Sequence, residues 1–143
     1  MKKYAPYFLK TAIVAVVVAV TLVACETTDP DGPLDPRDNF IGSWFCTETP
    51  TNPAGPNVTF NVNITKDVND DTQTIVKISN FSSLNGLATA TISGNTMSIA
   101  TQSVDGNTIQ GSGTYNAATD KINLNYTVND GLQSTIYSAV YSK

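Results

Sequence analysis

The chain has no histidine among its 143 residues. That removes the usual imidazole base of hydrolytic catalysis and one of the commonest metal ligands at once. Charge is sparse as well, at 14% of the sequence, so few groups are left from which a site could be assembled. The acids beyond residue 38 are Glu48, Asp67, Asp70, Asp71, Asp105, Asp120 and Asp130. Most fall in predicted turns, where Asp has a structural job, and no two are placed as the carboxylate pair that glycoside hydrolysis needs. The run Asp67-Val68-Asn69-Asp70-Asp71 imitates the opening of a calcium loop. However, Thr72 stands where that loop needs glycine and Ile78 where it needs a bidentate Glu. The inventory predicts no enzyme, no cofactor and no metal site.

One long uncharged run is present, residues 11–24 (TAIVAVVVAVTLVA), preceded by Lys2, Lys3 and Lys10. As a helix it reaches about 21 Å at 1.5 Å per residue, short of a hydrocarbon core of roughly 30 Å. Its length and basic flank fit a secretory signal peptide better than a transmembrane anchor. The run ends in Leu22-Val23-Ala24-Cys25, which resembles the lipobox of bacterial lipoproteins. The resemblance implies cleavage before Cys25, a diacylglycerol on its sulfur and a further chain on the new amino group. Two or three acyl chains, at about 0.8 kcal/mol per buried methylene, hold a protein firmly on a membrane. The implied partner is therefore the membrane, and the implied location is the cell envelope, on the periplasmic or outer face of the outer membrane. With Cys25 so committed, Cys46 has no disulfide partner. It sits in Trp44-Phe45-Cys46, where it reads as a small buried hydrophobe.

The domain plan that follows is a signal peptide over 1–24, a lipidated acidic tether over 25–38 and a globular domain over 39–143. Removing the first 24 residues leaves 119 with five basic and twelve acidic side chains, a net charge of −7. Such a balance argues against nucleic acid as a partner. Residues 26–38 (ETTDPDGPLDPRD) hold three prolines and five acids, a composition expected to stay extended. In surface-exposed lipoproteins of Bacteroidota-type bacteria an acidic stretch after the cysteine is an export signal, and Glu26, Asp29 and Asp31 resemble it loosely.

From residue 40 onward no segment keeps a helical period over three turns. Instead, apolar and β-branched residues alternate with Thr, Asn and Ser. Strands are expected over 40–47, 58–65, 73–79, 87–92, 96–101, 108–115, 120–128 and 132–141. The clearest has Val58, Phe60, Val62 and Ile64 on one face and Thr59, Asn61, Asn63 and Thr65 on the other. Turns such as Ser93-Gly94-Asn95, Asp105-Gly106-Asn107 and Asn129-Asp130-Gly131 are hairpin-sized and rich in the residues that accept left-handed backbone. An eight-stranded antiparallel meander with one apolar face is expected to close into a barrel, because closure buries that face and removes both edges. A two-sheet sandwich is the alternative.

Asp38-Asn39-Phe40-Ile41-Gly42-Ser43-Trp44 resembles the opening of lipocalin-like barrels, in which a Gly-x-Trp on the first strand plugs the closed end. Short runs further on, among them Gly94-Asn95-Thr96-Met97-Ser98-Ile99 and Ile109-Gln110-Gly111-Ser112-Gly113-Thr114, look like patterns in small lipocalin-like lipoproteins of Bacteroidota. In lipocalins an arginine of the last strand stacks on the tryptophan. Here residues 132–143 carry no arginine, and Lys143 is their only cation.

Two functional readings survive. In the first, the barrel binds a small apolar ligand, with Trp44, Phe60, Val62, Ile64, Ile78, Ile99, Tyr126 and Ile136 as candidate lining and the small residues Gly111, Gly113, Ser134 and Ser138 leaving room inside. In the second, the same side chains fill a solid core and the loops meet a protein or glycan, with 52–57 and 66–72 as contact loops. Interior volume distinguishes the two.

Overall fold

The computed structural model describes residues 35–143. The signal run, the lipobox with Cys25 and most of the tether lie outside the described residues. Eight strands form in chain order: β1 (Gly42–Asn52), β2 (Val58–Lys66), β3 (Ile75–Ser79), β4 (Leu87–Ser93), β5 (Thr96–Val104), β6 (Asn107–Asn116), β7 (Lys121–Asn129) and β8 (Ser134–Ser142). Each pairs antiparallel with its neighbours in sequence, and β1 also pairs with β8 from Phe45 opposite Ser142 to Asn52 opposite Ile136. That last ladder closes the barrel and rules out the two-sheet sandwich, because no open edge is left between first strand and last.

The alternation read from sequence sets the wall. Val62 and Ile64 point inward while Asn61 and Asn63 stay exposed. Ile122, Leu124 and Tyr126 point inward on β7. The last strand departs from expectation. Its apolar residues occur at both parities, and pairing decides between them. Tyr137, Ala139 and Tyr141 lie opposite Tyr126, Leu124 and Ile122, and directly paired residues share a face. Ile136 is therefore on the outer wall, 43% exposed, and Ser134 and Ser138 share that outer parity. The expectation that these three bound the interior is corrected by register.

Gly111 and Gly113 do face inward, but a side chain at either would collide with the neighbouring strand. A Cβ on Gly111 would lie 2.6 Å from the Asn125 carbonyl oxygen, and one on Gly113 would lie 2.7 Å from Leu124 Cγ. The missing side chains let β6 approach β7, and Tyr126 and Leu124 take up the room. Opposite Gly111 the β5–β6 register shifts between Ile99 and Gln102, a bulge that sharpens the local bend.

The strand directions give the barrel two unlike ends. One end gathers the chain entering β1, the β2–β3 loop and the carboxyl terminus. Here residues 35–38, expected to continue an extended tether, are folded onto the barrel. Pro36–Asn39 form a turn of 3-10 helix with Arg37 buried. The Arg37 guanidinium meets Asp35 at 2.7 Å and Asp70 at 3.6 Å, and it donates to the Ile75 carbonyl at 3.4 Å. Lys66 adds an ion pair to Asp35 at 2.9 Å. Composition alone does not carry the long-range partners of this segment, which lie more than thirty residues away. Phe40 precedes β1 rather than opening it. It is fully buried, and its carbonyl accepts the Trp44 Nε1 hydrogen at 2.7 Å. The chain turns between them at Gly42, whose φ of +116° favours glycine. Lys143 Nζ lies 4.3 Å from the Trp44 ring centroid, so a terminal lysine covers the tryptophan where no arginine is available.

The opposite end, called the mouth here, carries the β1–β2, β3–β4, β5–β6 and β7–β8 connections. It is closed by one of them. The β3–β4 connection includes a 3-10 turn at Phe81–Ser83, and Phe81 is fully buried.

Candidate functional site

Two charged residues are buried, Arg37 in the clasp ahead of β1 and Glu48 inside the barrel. Trp44, Cys46 and Glu48 alternate inward along β1, and all three are buried, Glu48 at 3% exposure. Moving an ionised carboxylate from water into such surroundings costs several kcal/mol unless it is well partnered, so Glu48 requires an explanation. Its Oε2 accepts a hydrogen bond from the Tyr126 hydroxyl and a second from Ser82 Oγ at 2.9 Å. Burial holds the Glu48 carboxyl above its ordinary pKa, against the two hydrogen bonds, which favour the charged form.

Tyrosines surround this carboxylate. The Tyr126 ring lies 5.4 Å from that of Tyr137, nearly parallel, and 4.6 Å from that of Phe81. Burial raises the Tyr126 hydroxyl far above its ordinary value, with Tyr141 and Glu48 adding to the effect. Tyr141 is deeper and fully enclosed. Its hydroxyl is the one buried side-chain polar atom among the described residues that has no hydrogen-bond partner. Burial, the Cys46 thiol and the Glu48 carboxylate all raise its pKa. Cys46 is a free, buried thiol pushed up to about 12, chiefly by burial and then by Glu48. Such a thiol is inert as a nucleophile at neutral pH.

The turn that closes the mouth is built in unusual backbone. Asn80, Ser82 and Ser83 have φ values of 58°, 52° and 57°, left-handed conformations that disfavour side-chain-bearing residues by roughly 1 kcal/mol each. The Phe81 ring against Tyr126 and the Ser82 hydroxyl on Glu48 hold this turn in place. The chain thus places one of its own rings and one of its own donors into the mouth.

Six of the eight candidate lining residues, Trp44, Val62, Ile64, Ile78, Ile99 and Tyr126, are brought together in the buried interior. Phe60 is half-buried against that core, and Ile136 is outside. Three clefts among the described residues open on the exterior. One of about 460 Å³ lies along the wall from β5 to β8, bordered by Ile99, Gly111, Tyr126 and Ile136 as well as by Thr101, Gln110, Asn125 and Thr127. Another of about 380 Å³ lies beside the Ser79–Leu87 connection. The third, about 150 Å³, is bordered by Thr108, Gln110, Thr127, Asn129 and Ser134. Among the described residues no three acidic or cysteine side chains converge as a metal site would require.

Glu48, Phe81, Ser82, Tyr137 and Tyr141 were not anticipated as site residues. A signal for Glu48 was present, because the two-residue period that turns Trp44 and Cys46 inward also turns residue 48 inward. Ending the first strand at Thr47 hid it. Nothing local to Phe81 or Ser82 marks them, since their role comes from a turn folding back over the mouth.

Compared with family models, with curated proteins and with solved structures, the chain matches none of them.

Proposed function

We propose that this chain is a lipid-anchored lipoprotein of the cell envelope, acylated on Cys25, whose lipocalin-like barrel takes a small molecule with an apolar body and a polar head at its mouth. The observation that carries the reading is Glu48. A barrel that only needed a solid core would be better served by an apolar residue of that size, because an isosteric apolar replacement of a buried charge is often neutral or stabilising. A carboxylate there, ringed by tyrosines, supplies orientation to a guest in an otherwise apolar lining. Phe81 and Ser82 stand in for that guest in the closed form.

The filled interior favours a second reading, a solid barrel that meets a protein or glycan through its loops or outer wall. Native mass spectrometry of the full chain, expressed in a Gram-negative host and purified from membranes in mild detergent, separates the two. The first reading expects a polypeptide beginning at Cys25 with two or three acyl chains, plus a small non-covalent mass that leaves on denaturation. An acylated chain that stays free of any small mass, even after incubation with envelope extract, moves the conclusion to the solid barrel. An unprocessed chain beginning at Met1 overturns the lipoprotein reading itself.

A further inference from the structure

The charges of the described residues are divided between the ends of the barrel. Five cations occur there, Arg37, Lys66, Lys77, Lys121 and Lys143, and all belong to the end opposite the mouth. Arg37 and Lys66 pair with Asp35, Asp70 and Asp38. Lys77 reaches Asp67 of the β2–β3 loop at 3.2 Å. Lys121 opens β7 and Lys143 covers Trp44. The mouth end holds Glu48, Asp105 and Asp130 and no cation. Its field is therefore of one sign, which concentrates positive ligands and repels anions.

Glu48 is thus a buried carboxylate served only by hydroxyl donors among the described residues. The groups around it are the hydroxyls of Ser82 and Tyr126, with the Tyr137 and Tyr141 hydroxyls and the Cys46 thiol close enough to interact electrostatically. None of these carries positive charge. The two groups that the β3–β4 turn lends to the mouth define a shape, an aromatic ring 4.6 Å from Tyr126 and a hydrogen-bond donor 2.9 Å from Glu48 Oε2. The unpartnered Tyr141 hydroxyl offers further polar contact below.

Building on the mouth site proposed above, we infer that its guest is a protonated amine on a small aromatic or apolar body. The ammonium replaces the Ser82 hydroxyl on Glu48, and the body replaces the Phe81 ring against Tyr126 and Tyr137. Displacing the turn frees Asn80, Ser82 and Ser83 from left-handed backbone. An ammonium also supplies the charge that the carboxylate otherwise lacks, and a charge-assisted hydrogen bond exceeds a neutral one.

The test is calorimetric titration of the full chain in mild non-ionic detergent with three probes sharing one body: 2-phenylethylamine, 2-phenylethanol and 3-phenylpropionate. The amine is expected to bind about tenfold tighter than the alcohol, the difference a charged partner makes, and the acid to bind weakest. Phe81→Ala, which opens the mouth, is expected to tighten the amine. Glu48→Gln is expected to abolish the preference for amine over alcohol. Equal binding of amine and alcohol, or preference for the acid, overturns the amine assignment and leaves the small-molecule reading standing. No binding of any probe to either the unaltered chain or a Phe81→Ala variant with native near-UV circular dichroism overturns both. Should Glu48→Gln not fold, the ranking of the three probes on the unaltered chain decides alone.

Discussion

Glu48 couples the stability of the barrel to pH in an unusual sense for a carboxylate. Its pKa is higher folded than unfolded, because burial outweighs its hydrogen bonds. Such a group favours folding while protonated, and that contribution is lost as pH rises through the folded pKa. Glu48→Gln keeps an acceptor for Ser82 and Tyr126 but cannot ionise. The denaturation midpoint of the variant relative to the parent is therefore expected to rise between pH 4 and pH 8. A constant difference across that range would mean that Glu48 does not titrate with folding. At Gly111 the issue is space rather than charge. Ala at this position would drive a methyl against the Asn125 carbonyl and Tyr126, and such overpacking costs about 2 kcal/mol. Urea denaturation of Gly111→Ala measures it, and an unchanged midpoint would show that β6 and β7 can separate without penalty. The sequence made the inward parity of Gly111 visible. It did not show that the partner strand already occupies the space beside it, because that depends on which residue of β7 lies opposite.

Among the elements, the segment ahead of β1 has the clearest dependence on acid. Asp70 accepts backbone hydrogens from Thr72 at 3.0 Å and from Thr74 at 2.6 Å and faces Arg37. Its pKa is lowered to about 2, first by the Thr72 hydroxyl and then by these backbone donors. Hydrogen bonds from Arg37 hold Asp35 far below the ordinary carboxylate range. Groups with depressed pKa values stabilise the fold above their unfolded pKa, and that stability is lost as pH falls through the folded value. Arg37→Ala is expected to lower the thermal midpoint at pH 7, with the deficit shrinking as pH falls from about 4 to 2. A deficit that stays the same at pH 2 would place the role of Arg37 in packing alone. Strand existence and most inward parities were legible because alternation is local. The tether boundary and the parity of β8 were not, because an ion pair and a strand register each depend on residues distant in the chain.

For the whole molecule, closure is the governing fact. The ladder between β1 and β8 leaves neither as an edge, so the first and last strands are expected to be as well protected as interior ones. Amide hydrogen exchange tests this. Residues of β1 and β8 in the shared ladder should exchange as slowly as those of β6 and β7, and rapid exchange along the β1–β8 seam would mean a barrel that opens there. The barrel and its meander order were foreseeable from eight alternating segments joined by short turns. A filled interior was one of the two readings the alternation left open, and the choice between them depends on how far each strand approaches the next.

The fold of residues 35–39 also fixes the place at which the chain joins the barrel. The chain enters it beneath Trp44, at the end clasped by Arg37 and capped by Lys143, while Phe81 and Glu48 lie at the other. A pull along the chain ahead of residue 35 is therefore borne first by the Arg37 clasp, and the turn that carries Phe81 lies at the far end from it.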